Sequence, residues 1–147
     1  MKIALGADHA GFRMKGGLRD LLTQMGHMVV DMGTTGEESV DYPDFAEKVA
    51  RAVSTGAAER GVLICGTGIG MSMAANRISG VRAAVVTDLF TAEMSRRHND
   101  ANVFCAGARV LSPEKMAEAL KMWLATPFDG GRHQQRVDKI NRLDPFE

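Results

Sequence analysis

Apolar positions along the chain follow two rhythms: short uninterrupted runs, and longer stretches where they recur every three or four residues. Lys2 to Ala7 (KIALGA) is the first run and predicts a strand ending at Asp8-His9. From Ala10 to Met25, residues Phe12, Leu18, Leu21, Leu22 and Met25 fall at helical spacing, with Gly26 as the stop. His27 to Met32 predicts a second strand and Gly33 to Asp41 a polar loop. Phe45, Val49 and Val53 then mark a helix opened by Pro43 and closed at Gly56. Gly61 to Cys65 carries the uncharged run Val62-Leu63-Ile64, the pattern of a strand buried on both faces of a parallel sheet. Val81 to Thr87 predicts a fourth strand, followed by a helix capped by Asp88 and running to Arg97. Asn102 to Ala106 predicts a fifth, and Ser112-Pro113-Glu114 opens a helix that buries Met116, Leu120, Trp123 and Leu124. The last helix, Arg132 to Arg142, has only Val137, Ile140 and Leu143 to bury, so it is expected to lean on something else, such as another subunit.

Five strands alternating with five helices predict an α/β fold. The expected architecture is a three-layer α/β/α sandwich on a five-stranded, mostly parallel, Rossmann-like sheet, a single domain over residues 1–147 with a C-terminal helical tail. A globule of 147 residues buries roughly 70% of its unfolded surface, enough for one core. Eighteen basic and eighteen acidic residues cancel, so no overall field draws the chain to nucleic acid or a membrane surface, and any anion site must be local. The apolar run after Met1-Lys2 is too short for a secretory signal, and the uncharged stretch Gly61 to Asn76 is too short and too broken to span a bilayer. The two cysteines, Cys65 and Cys105, both fall in predicted core strands, giving no disulfide framework and pointing to a reducing cytoplasm.

The chemistry concentrates in Gly61 to Arg77 (GVLICGTGIGMSMAANR). Cys65 ends the strand, Gly66, Gly68 and Gly70 let the backbone turn tightly with exposed N–H groups, and Met71 to Arg77 reads as the first turns of a helix. A thiol beside such donors is a candidate base or nucleophile, whereas cysteine by residue type alone is more often inert packing. In a parallel sheet the strand ends bring Asp8, His9, Cys65 to Gly70 and Arg109 together, while His98-Asn99, at the end of a helix, lies toward the opposite edge of its own sheet. Each has a plainer role: Asp8 as a helix cap, His9 as a solvated side chain, His98 at a helix C-terminus, Arg132, Arg136 and Arg142 as a solvated face. No histidine or cysteine spacing gives a metal site, Met71 stands where a dinucleotide fingerprint needs its third glycine, and no Gly-Lys-Ser/Thr follows for a Walker loop. Arg132 and Arg136, four apart and facing one way, favour a small phosphorylated ligand.

Six segments in register carry a resemblance. Gly6-Ala7-Asp8-His9-Ala10-Gly11, Asp41-Tyr42-Pro43, Cys65-Gly66-Thr67-Gly68-Ile69-Gly70, Arg97-His98-Asn99-Asp100, Gly107-Ala108-Arg109 and Gly130-Gly131-Arg132-His133-Gln134-Gln135-Arg136 together resemble the type B ribose-5-phosphate isomerases over nearly the whole chain. The resemblance implies interconversion of ribose 5-phosphate and ribulose 5-phosphate without cofactor or metal, in a homodimer, or a tetramer, with sites at the subunit interface. It implies that Cys65 moves a proton between C2 and C1, with His98 assisting ring opening and Thr67 also catalytic. Asp8, His9, Tyr42, Gly66, Gly68, Ile69 and Gly70 would line or contact the substrate. His98, Asn99 and Arg109 would come from the other subunit, and Arg109, Arg132 and Arg136 would hold the phosphate. Some relatives lack the cysteine and carry a glutamate just after the last glycine; here that position is Met71, which leaves Cys65 as the only candidate base in the loop.

Three rivals stand beside this reading. The same mechanism could act on another aldose phosphate, such as allose 6-phosphate, galactose 6-phosphate or a tetrose phosphate. The fold could serve a sugar-phosphate sensor without turnover. Cys65 could be a redox thiol, against which stands the lack of a resolving cysteine nearby in sequence.

Overall fold

The computed structural model describes residues 1–143. Five strands, β1 (Lys2–Ala7), β2 (Met28–Asp31), β3 (Arg60–Cys65), β4 (Ala83–Val85) and β5 (Val103–Gly107), form one sheet in the order β2-β1-β3-β5-β4. Every pairing in it is parallel. Six helices connect or follow them: α1 (Phe12–Gln24), α2 (Tyr42–Ser54), α3 (Ile69–Ala75), α4 (Leu89–Arg97), α5 (Pro113–Ala125) and α6 (Arg132–Arg142). A parallel sheet needs cover on both faces, and two cores supply it. One face packs Ile3, Leu5, Val62, Ile64 and Phe104 against Leu18 and Leu22 of α1, Ala92 of α4 and Met116, Leu120 and Trp123 of α5. The other packs Ala4, Leu63, Cys65, Val103 and Cys105 against Ala46, Val49 and Ala50 of α2 and Met71 and Ala75 of α3.

The predicted sandwich is the observed one; the element ends differ for local reasons. α1 starts at Phe12 instead of Ala10 because the Asp8 carboxylate Oδ1 accepts the N–H groups of Ala10 (3.0 Å) and Gly11 (3.2 Å), holding a turn ahead of the helix. β4 is three residues long, against Val81 to Thr87 predicted. At one end Arg82 N–H goes to the Asn102 side chain, and at the other Thr87 N–H goes to the Thr91 hydroxyl of the α4 capping box. α3 begins at Ile69, two residues early, because Gly68 takes the left-handed conformation (φ 83°) as its N-cap.

Chain order places the switch point between β1 and β3: the path goes outward to β2 and then returns to the other side of β1. Ligands of open α/β sheets bind beyond the strand carboxyl ends at such a point. Asp8 and Cys65 stand there, with Ala7 and Ile64 paired and the Asp8 N–H donating to Ile64 O.

Candidate active site

Cys65 is the last residue of β3 and only 5% exposed. Its Sγ accepts the N–H of Gly68 at 3.1 Å, a backbone donor aimed at sulfur and suited to partner a thiolate. Gly68 is required twice over: a side chain at φ 83° is strained, and a Cβ there would lie 2.9 Å from the Ala106 backbone of β5. The next amide, of Ile69, donates to Thr67 Oγ1 at 3.2 Å, which leaves the Thr67 hydroxyl proton free to donate outward. Two of the loop amides are thus engaged inside the loop, leaving those of Thr67 and Gly70 for a ligand.

The walls come from three other elements. Tyr42, at the start of α2, lays its ring on Gly70 so closely that a Cβ there would lie 2.6 Å from Tyr42 Cζ. His9 accepts the Val40 N–H on Nδ1 at 3.1 Å, so its proton rides on Nε2 and the 33–41 loop is anchored over the end of β1. Arg109, just past β5, places Nη1 against Gly66 of its own chain, beside the Cys65 loop. Met71, where some relatives place glutamate, is fully buried in the core. Cys105, opposite Leu63 in the β3–β5 register, is also fully buried. Burial first, and the neighbouring Cys65 second, push its thiol up, which makes it a poor resolving partner for redox chemistry.

The remaining predicted residues lie elsewhere. α4 runs back along the sheet and ends at His98 beside the amino end of β5, while Cys65 pairs with Gly107 at the carboxyl end. The two edges are roughly 13 Å apart along the strand direction. At the amino edge the His98 ring stacks on that of His133, centroids 4.2 Å apart and planes 14° from parallel. Asp129 receives Arg97 at 3.2 Å, and its backbone N–H donates to Arg97 O. Arg132 and Arg136 are exposed on α6, and neither has an ion-pair partner among the described residues. The His133 imidazole is pushed below its ordinary value by burial first, then by His98, Arg132 and Arg136.

Sequence spacing singled out neither His133 nor Asp129, and their histidine neighbour looked solitary. In the fold, ligand atoms of His98, Asp129 and His133 lie within 4.8 Å of one another. The near-parallel rings do not converge their lone pairs, and the guanidinium groups of Arg97, Arg132 and Arg136 set the local charge against a cation. The arrangement fits an anion better.

Within one chain the predicted residues therefore fall into two groups, one at each end of the sheet. A cleft of about 680 Å³ runs beside the edge strand β4, lined by Asn99, Arg82 and Asn141 among others, and two more flank the Asp31–Thr35 segment. Cys65 lines none of the three.

The chain matches a known family model described as Ribose/Galactose Isomerase over residues 3–140. The chain belongs to the ribose/galactose isomerase family. Among solved structures it is similar to ribose-5-phosphate isomerase B of Clostridium thermocellum, with a TM-score of 0.95 and 50% identity, covering 96% of this chain and 95% of that one. It is 45% identical to the ribose-5-phosphate isomerase B of Escherichia coli (strain K12), covering 97% of this chain and 96% of that protein. It is also 42% identical to a D-erythrulose-4-phosphate isomerase of Pectobacterium atrosepticum, across 100% of this chain and 97% of that protein. No helix among the described residues of this family member is long and apolar enough to cross a membrane.

Proposed function

We propose that the chain interconverts ribose 5-phosphate and ribulose 5-phosphate through an enediolate, without a cofactor, as a homodimer in which each site is completed by the second subunit. The observation that carries the reading is the Cys65 sulfur at the β1/β3 switch point, held by the Gly68 amide inside a loop that still offers N–H donors to a ligand. The separation of His98, Arg132 and Arg136 from that sulfur within one chain supports a site shared between subunits.

The steps follow from the groups. His98 of the partner subunit takes the C1 hydroxyl proton of the furanose and delivers it to the ring oxygen, the C1–O4 bond breaks, and the aldehyde forms. The Cys65 thiolate then removes the C2 proton; the C–H pair becomes the C1=C2 bond and the carbonyl pair moves to O1. Amides of the Gly66–Gly70 loop and the Thr67 hydroxyl donate to that oxyanion, one such donor being worth about 3 kcal/mol. Cys65 returns the proton to C1 while the O2 hydroxyl proton passes to O1, which leaves the ketone at C2. Asp8, His9 and Tyr42 contact the sugar, and Arg109, Arg132 and Arg136 hold the phosphate, whose binding energy orients the reacting carbons.

Similarity to a D-erythrulose-4-phosphate isomerase supports a second reading with the same chemistry on a shorter substrate. Proton NMR in D2O tests the reaction, and matched kcat/KM values over tetrose, pentose and hexose phosphates test the substrate. Loss of the ribose 5-phosphate C2 signal with the highest kcat/KM on the pentose is expected. Binding without exchange would make the chain a sensor, and a hundredfold preference for another sugar would overturn the pentose assignment.

A further inference from the structure

We propose that Arg82 is a positioning residue, whose guanidinium ties the His98–Asn99 turn to α6 and so fixes the ring-opening histidine relative to the phosphate-binding arginines. The inference rests on the reaction proposed above. Arg82 touches none of the groups assigned to substrate. It reaches both of the segments that carry them.

On one side the fork grips Asp100, the residue after His98-Asn99. Arg82 Nε donates to the Asp100 carbonyl at 3.0 Å, and Nη2 lies 3.5 Å from its carboxylate. On the other side Nη1 donates to Asn141 Oδ1, near the end of α6, at 3.0 Å. The stem of the arginine is itself pinned, because Asn102 Oδ1 accepts the Arg82 N–H at 2.7 Å and the Asn102 N–H donates to Arg82 O at 3.0 Å. A planar fork serving three acceptors in two directions is a geometry lysine cannot reproduce.

The turn that Arg82 holds is an unusual one. Asp100 is the only described residue other than glycine with positive φ, 47°. Buried Arg96 already compensates its charge at 2.9 Å and also donates to Ala101 O and Thr126 O. A second guanidinium at 3.5 Å from a partly exposed carboxylate adds little to stability. What Arg82 adds is the link to Asn141. α6 is joined to the turn region at its start by the His98–His133 stack and near its end by this link, about 12 Å along the helix. Asp129, bonded to Arg97, and buried Val137 hold the start and middle of α6; the Arg82 link is what ties its end to the Asp100 turn, and without it that end can shift against the turn that carries His98.

The test separates ring opening from proton transfer. Ribulose 5-phosphate has its C5 hydroxyl esterified and cannot close a furanose, so solvent deuterium enters its C1 without any ring opening. In Arg82→Lys, kcat for ribose 5-phosphate should fall at least tenfold, while saturated exchange into ribulose 5-phosphate should fall less than threefold. The melting temperature should drop by no more than about 4 °C. Asn141→Ala, which cuts an exposed acceptor and leaves the core alone, should show the same split at smaller size and carries the test if Arg82→Lys does not fold. Parallel loss of both activities, or no loss in either variant, would overturn the proposal. Wild-type protein that neither isomerises nor exchanges would instead overturn the isomerase reading itself.

Discussion

The backbone N–H of Gly68 points at Sγ of Cys65 from 3.1 Å, and it can do so because Gly68 takes a left-handed conformation against the backbone of Ala106. Gly68→Ala should therefore damage fold and chemistry together. The left-handed conformation alone costs alanine about 1–2 kcal/mol, and the contact with β5 adds to it. Thermal denaturation should show a lower Tm, and kcat at a temperature where the variant is folded should fall at least tenfold. A variant as active as the wild type would remove the Gly68 amide from the mechanism.

Lys15 is buried at 3% exposure, with Nζ 2.5 Å from Asp31 Oδ1 and 2.8 Å from Thr34 O. Burial alone would raise the Asp31 carboxyl, but the Lys15 hydrogen bond, the Gly33 N–H and the charges of Lys15 and Arg19 outweigh it and hold the group below its ordinary 3.8. A depressed carboxyl stabilises the fold above its unfolded value and loses that contribution as pH falls through the folded one. Asp31→Ala should cost about 3 kcal/mol at neutral pH by stranding the Lys15 ammonium, and should flatten the acid limb of stability below pH 4. Urea denaturation across pH 2 to 7 measures both.

Burial first, then His98, Arg132 and Arg136, lower the His133 imidazole below its ordinary value, so its NMR titration should have a midpoint below 6.5. Between the folded and unfolded values the unfolded chain binds the extra proton, so stability should decline as pH falls below 6.5 and His133→Gln should remove that slope. Inorganic phosphate bound by Arg132 and Arg136 would reverse the local field and raise the midpoint. An unchanged midpoint at saturating phosphate would place the anion elsewhere.

Shared sites have a mixing signature. Cys65→Ala and His98→Ala proteins, each inactive alone, should recover about a quarter of wild-type activity per site after subunit exchange, since random pairing leaves half the dimers mixed and each mixed dimer has one intact site. Native mass spectrometry with one variant isotopically labelled verifies that exchange has occurred. Exchanged but inactive mixtures would mean that each chain builds its site unaided.

The strands and their ligand edge were legible because buried parallel strands write themselves as unbroken apolar runs, and the switch point follows from alternation with helices. Cys65 stood out because three glycines at alternate positions follow it. The shortening of β4 was not legible: it depends on Asn102 and Thr91, whose side chains capture amides that a local pattern assigns to the strand. Nor was the His98–His133 stack, since α6 has a mostly polar sequence and its docking is set by contacts such as Arg82 with Asn141. Spacing treated those histidines as separate because nothing in either segment refers to the other.

The central claim is that the Cys65 sulfur removes hydrogen from carbon. Deuterium incorporation into C1 of ribulose 5-phosphate, followed by NMR with wild type and Cys65→Ala at matched saturation, tests it most directly. The rate should fall about a thousandfold, the scale of a lost general base, with phosphate-dependent binding intact. Exchange at the wild-type rate in the alanine variant would contradict it.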